Sequence, residues 1–236
     1  MEQKPMKCLL GLLLVACLTA RSQSPLPGEQ PLYILDSLRK TTGTARFFAE
    51  RYYNTTRKAI LFATRRKPSE QAFLNRFEEQ FTGLFLDAVR KSTAGENVTG
   101  VWSDYFRPDT LHPLRLQLLG INAHINGDIW KALVASCDPA ELQRNKRCYF
   151  AFNRYLKKEF DEFYEEAADA DIRLAVIREI SPGLSTKAGH RLLIHWRKRQ
   201  FKLARLHDTD PVRFRDLYDR ISQKRESLNR LICNHF

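Results

Sequence analysis

No two cysteines in this chain stand at CxxC spacing, and no HExxH, GxSxG, Walker-type or GxGxxG segment occurs in its 236 residues. Those absences exclude a cysteine-based zinc ribbon, a helical zinc protease, a serine-hydrolase elbow, a phosphate-cradling loop and a dinucleotide fold. Strand-like alternation of apolar and polar residues is also missing, as is any internal repeat. Long apolar runs are scarce: Cys8 to Ala20 is too short for a membrane span, which needs about 20 residues, and no later segment is both long and uncharged. Negative charge is in the minority, with 39 Lys and Arg against 27 Asp and Glu.

Lys4 and Lys7, the apolar run and the small residues ending Ala20-Arg21-Ser22 together read as an export signal over residues 1–22, cleaved near Ser22-Gln23. The mature protein is then expected to be periplasmic or secreted, without a transmembrane span. Leu14-Val15-Ala16-Cys17 resembles a bacterial lipobox, and acylation of Cys17 would tether the domain to a membrane instead. Loss of residues 1–22 lowers the formal charge from +12 to about +10, by three cations and one anion. A basic exported domain can meet an anionic surface ligand, whereas a solvated helical face is the plainer reading of the same charge. Cys137, Cys148 and Cys233 remain, and spacing alone does not decide whether the first two close a loop.

Residues 23–35 carry the Pro, Ser and Gly of a linker, and helical periodicity follows over residues 36–236. The spacing predicts helices over about 44–64, from Ser69 through Ala88, from Pro113 to Ala132, from Pro139 to Ala167, over 186–206 and over 211–233. Ala94 to Asp109 reads as a connection whose Trp102, Tyr105 and Phe106 pack back onto the body. The expected fold is all-α, a single domain of about six or seven helices, bundle-like or orthogonal.

LLGINAHINGD, Leu118 to Asp128, sets two Asn, a His and an Asp into an apolar helix. On a helical wheel the stripe of Leu114, Leu118, Ile121, Ile125 and Ile129 places Asn122 and Asp128 roughly 60° to either side, largely buried, and His124 and Asn126 roughly 100° away, at its edge. A buried carboxylate needs a cation, donors or a metal beside it. His124 and Asp128, four apart, have the spacing of two metal ligands on one helix. The functional reading makes them the catalytic and metal-holding pair, completed by His112 or His190, with His195, Asp87 and Asp104 as further candidates and Asn122 and Asn126 binding substrate. The structural reading pairs Asp128 with Arg191 or Arg197 and leaves the amides to bond backbone, fixing helix register. Gly127 weakens a helix, so its position asks for closeness.

These residues, with Ala132-Leu133, the Phe73 to Ala88 helix, Trp102 and Phe152-Asn153, resemble the signature of a bacterial helical family catalogued as domain of unknown function 5995. The resemblance covers most of residues 40–206 and points to Asn122, His124, Asn126 and Asp128, but implies no activity. If the chain is an enzyme, the expected chemistry is hydrolysis of a phosphoester-type small-molecule substrate by water on a divalent metal, zinc or similar, held by His124 and Asp128. The alternative is a non-catalytic, envelope-associated binding module that uses its basic surface and no cofactor.

Overall fold

Phe73, Phe77, Phe81 and Phe85 recur every fourth residue, and in the computed structural model they line one face of a helix over Pro68–Thr93 with almost no exposure. Aromatic stacking continues along that face, Phe77 meeting Phe81 at 5.2 Å between ring centroids. The structure describes residues 29–107, 112–180 and 183–235, so the expected export segment and Cys17 lie outside the described residues.

We number the α-helices α1 (Gln30–Arg39), α2 (Ala45–Ala63), α3 (Pro68–Thr93), α4 (Pro113–Ala123), α5 (Ile129–Ser136), α6 (Pro139–Arg144), α7 (Lys146–Tyr155), α8 (Lys157–Ala170), α9 (Ile172–Ile180), α10 (Leu184–Thr209) and α11 (Pro211–His235). A 3-10 turn occupies Gly100–Trp102, and a π-helical turn, His124–Asp128, joins α4 to α5. The described residues hold no strand, and the chain is an all-α single domain.

The continuous rod of α4, π-turn and α5 is the axis of the molecule. Helices α2 and α11 flank α4, α3 and α10 flank α5, and both α10 and α11 reach the π-turn. These neighbours bury more than half of the rod, Asn122, His124, Asn126 and Asp128 included. Where Gly120 passes α2, a Cβ would stand 2.6 Å from the Phe48 ring, and at Gly127 one would stand 2.6 Å from Val101. Both glycines are there for close approach.

Several boundaries differ from the sequence reading. Helix already begins at Gln30, and Leu35 is wholly buried, so the segment read as linker to residue 35 belongs to the body from α1 onward. Ser69 does not cap α3: the capping position is Lys67 with no side-chain cap, and Pro68 starts the first turn, where a missing N–H costs nothing. The single helix expected from Pro139 is three. One break falls at Asn145, whose amide donates to the Glu141 carbonyl at 3.1 Å and competes with the helical ladder. Trp102 and Tyr105 pack into the core as expected, and the Tyr105 hydroxyl donates to the Thr44 carbonyl while accepting from Phe48 N–H. Cys137, Cys148 and Cys233 form no disulfide.

Candidate functional site

The π-turn follows from its neighbours. In an α-helix the Trp130 N–H would bond the Asn126 carbonyl four residues back. Here the side-chain amide of Gln200, wholly buried on α10, stands between them: its nitrogen donates to Asn126 O at 2.9 Å and its oxygen accepts from Trp130 N at 3.2 Å. Insertion of a side chain into the ladder opens the turn, and the inserted amide satisfies both groups that the opening frees.

The polar cluster then divides in two. Asn122, Asn126 and Asp128 are structural hubs. Asn122 donates to Arg225 O at 2.9 Å and to Asn229 Oδ1 at 2.6 Å, and accepts from Asn126 Nδ2 at 2.8 Å; Asn229 in turn donates to Asp104 at 2.6 Å. This chain ties α4 to α11 and to the 100–107 connection. Asp128 accepts from the Trp102 indole N–H at 2.7 Å and has Lys131 Nζ at 3.5 Å, rather than the expected Arg191 or Arg197. Burial outweighs both partners and pushes its carboxyl up to about 6.

His124 is different. Expected at a stripe edge, it is 5% exposed, because Phe48 and Tyr52 of α2 and Phe81 of α3 pack around its ring. Its ring stacks on Phe81 at 3.4 Å between centroids and meets Tyr52 edge-on at 4.2 Å. Neither ring nitrogen has a hydrogen-bond partner, and burial, then the Arg197 charge, hold it well below the usual histidine range, so it is a neutral imidazole. Close by on α3 is Glu78, 5% exposed, with one carboxylate oxygen unpartnered and its carboxyl pushed up to about 7 by burial, against the lowering effect of Arg197. Tyr52 completes the group; its hydroxyl bonds Thr82 at 2.9 Å, and burial raises it well above the usual tyrosine range.

Tyr52, Glu78, Phe81, Asn122, His124 and Arg197 all face a cavity of about 310 Å³, within the size range of small-ligand sites. Its walls are largely apolar, with Phe160 and Phe163 of α8, Leu193 and Trp196 of α10 and Leu228 and Ile232 of α11 among them. Helix α8 covers it, fastened by Arg51–Glu166, by Lys58 to Glu159 and Glu162, and by His190–Asp161 at 2.5 Å. Gly189 admits the Phe160 ring against α10, where a Cβ would overlap it.

The expected metal set is not brought together. His112 caps α4 by accepting from Leu114 N at 3.3 Å, His190 is engaged with Asp161, His195 is exposed, and Asp87 pairs with Arg90 and Lys91. Asp128 turns to Trp102 while His124 turns to Phe81, and among the described residues no group of three or more His, Cys, Asp or Glu is placed to hold a metal ion. The residues present therefore do not fit the metal that the His124–Asp128 spacing suggests.

A family model described as "Family of unknown function (DUF5995)" matches residues 33–235. The chain belongs to this family. No curated protein and no solved structure matches it. The matched region starts within α1 and ends with α11, so the DUF5995 unit includes every wall of the cavity as well as the NAHINGD turn.

Glu78 was missed in the sequence, although a signal for it exists. It lies four residues after Leu74 and three before Phe81, on the apolar stripe itself, and an acid there has no cheap explanation. Gln200 left no comparable signal, since its partners are backbone groups of a distant helix.

Proposed function

We propose that this protein binds a small, largely apolar molecule in the cavity between α2, α3, α4, α8, α10 and α11. The observation that carries the reading is the pairing of apolar walls with the unpartnered nitrogens of His124 and the unpartnered oxygen of Glu78 at the polar end. Buried polar groups are rarely left without partners, so the unpartnered atoms of Glu78 and His124, on residues lining one cavity, invite a ligand that completes them. A neutral imidazole and a carboxyl pushed up to about 7 line the same cavity, which leaves room for acid–base chemistry on what binds. Asn126 and Asp128 hold the frame in this reading rather than touching the ligand, while Asn122 both ties α4 to α11 and lines the cavity. The metal-dependent hydrolase is the weaker alternative, because Asp128 is engaged by Trp102 and Lys131.

The test is thermal unfolding of the protein against a panel of small amphiphiles, beside a Leu193→Trp variant that fills the cavity. Compounds that raise the midpoint of the native protein and leave the variant unchanged support the reading. No shift with any compound, or equal shifts in both proteins, would overturn it.

A basic surface module is the second reading, favoured by one observation. Burial, and then the neighbouring Arg220 guanidinium, pull Arg199 below the usual arginine range, so like charges meet on the α10–α11 face. An anionic lipid surface would relieve that repulsion. Such binding would fall steeply with salt, whereas cavity binding would not. Export, by signal cleavage or by lipidation of Cys17, is part of the proposal on the strength of the N-terminal residues alone.

A further inference from the structure

Charge at the inner end of the cavity is unbalanced. Arg197 is 4% exposed, and a guanidinium keeps its charge in the interior. Its Nε donates to the neutral Asn153 at 2.5 Å, and its head lies over the Tyr149 and Phe152 rings, 5.9 and 5.5 Å from their centroids. Among the described residues it makes no ion pair. The cavity's other acids, Glu159, Glu162 and Glu166, sit on α8 and pair with Lys58 and Arg51, which leaves Glu78 alone at that end. A buried cation with a neutral hydrogen-bond partner favours one added negative charge.

Resting on the cavity reading above, we propose that the ligand is a small amphipathic monocarboxylate, bound with its carboxyl group at Glu78, His124 and Arg197 and its hydrocarbon chain along the apolar wall. The ligand carboxylate and Glu78 share one proton, since two carboxylates side by side cannot both ionise. That leaves one negative charge to face Arg197. The N–H of neutral His124 donates to a ligand oxygen. No covalent bond changes: binding takes one proton from solvent whenever Glu78 begins ionised. Tyr52 from α2, Tyr149 from α7 and Arg197 from α10 are electrostatically coupled to Glu78, and His124 of the π-turn lines the same cavity; of the acids, Glu78 at about 7 and Asp128 at about 6, the latter held by Trp102 and Lys131, change charge near neutrality. About 310 Å³ is room for about ten groups of water size at about 30 Å³ each, which matches a chain of about eight carbons with its carboxylate.

Calorimetric titration of the protein with octanoate, octan-1-ol and octylamine, at pH 6 and pH 8 and in buffers of differing ionisation enthalpy, tests this. Octanoate should bind at least about tenfold more tightly than octan-1-ol at pH 6, weaken about tenfold by pH 8, and there take up close to one proton on binding. Glu78→Gln, nearly isosteric and neutral, should keep the pH 6 affinity and abolish both the pH 8 weakening and the proton uptake. Octan-1-ol or octylamine binding as well as octanoate would overturn the carboxylate assignment and leave the cavity reading standing. Proton uptake absent from the native protein would overturn the shared proton. Failure of all three probes to bind would overturn the cavity reading itself.

Discussion

Glu78 and Asp128 are two buried acids with opposite surroundings, and both resist ionisation. Burial dominates in each, over Arg197 for Glu78 and over Lys131 and the Trp102 N–H for Asp128. The folded-state values, about 7 and about 6, lie above the ordinary 4.5 and 3.8, so the folded protein holds protons that the unfolded chain releases. Stability is therefore greatest at low pH in this respect and declines as pH rises, from about 4 to about 6 through Asp128 and from about 4.5 to about 7 through Glu78. Each decline is on the order of 3 kcal/mol for a shift of somewhat over two pH units. Glu78→Gln should thus match the native protein in urea unfolding at pH 5 and exceed it at pH 8 by up to that amount. An equal difference at both pH values would show that Glu78 does not carry the slope.

Among the elements, the π-turn is the one whose conformation depends on a partner. Removing the Gln200 amide leaves Asn126 O and Trp130 N buried without partners, at about 1–3 kcal/mol each. Gln200→Leu, close in volume, should therefore cost on the order of 3 kcal/mol in chemical unfolding, while Lys198→Ala on the exposed side of α10 stays within about 0.5 kcal/mol. A Gln200→Leu protein as stable as the native one would mean that the turn closes to a regular α-helix. Helix α8 is the contrasting element, held to α2 and α10 by exposed or half-exposed ion pairs that are individually weak and screened by salt. Amide exchange in α8 should accelerate in 1 M salt relative to α3, and exchange of α8 no faster than that of the buried α3 would count against its covering role.

For the whole molecule, the main hydrophobic core runs from Leu35 on α1 to Ile232 on α11, and among the described residues no disulfide supplements it. Cys148 is buried against the α7 face and its thiol is pushed up to about 11 by burial, which makes it a poor nucleophile. The thermal midpoint should accordingly be the same with and without a reductant, and Cys148 should resist alkylation until the protein unfolds. A lower midpoint under reducing conditions would reveal a cross-link that this fold does not contain.

Helix class and the main helical stretches are set by periodicity in the sequence, because an amphipathic stripe such as Phe73 to Phe85 has one satisfactory way to bury itself. Burial of Asn122 and Asp128 was legible for the same reason, since polar residues that close to an apolar stripe need partners, whereas His124 and Asn126 read as edge positions and are buried too. Which partners they take was decided by tertiary structure. Asp128 finds an indole and a lysine, Asn122 finds α11, and His124 finds only aromatic rings, since each side chain is aimed by a π-turn that a glutamine about 70 residues away in the chain holds open. A helical wheel shows only the rod's own stripe and so left His124 at its edge, whereas α2 and α3 close over that edge. The cavity itself belongs wholly to the assembled helices, as six of them line it and must come together before Glu78 or His124 has an environment to shift its proton.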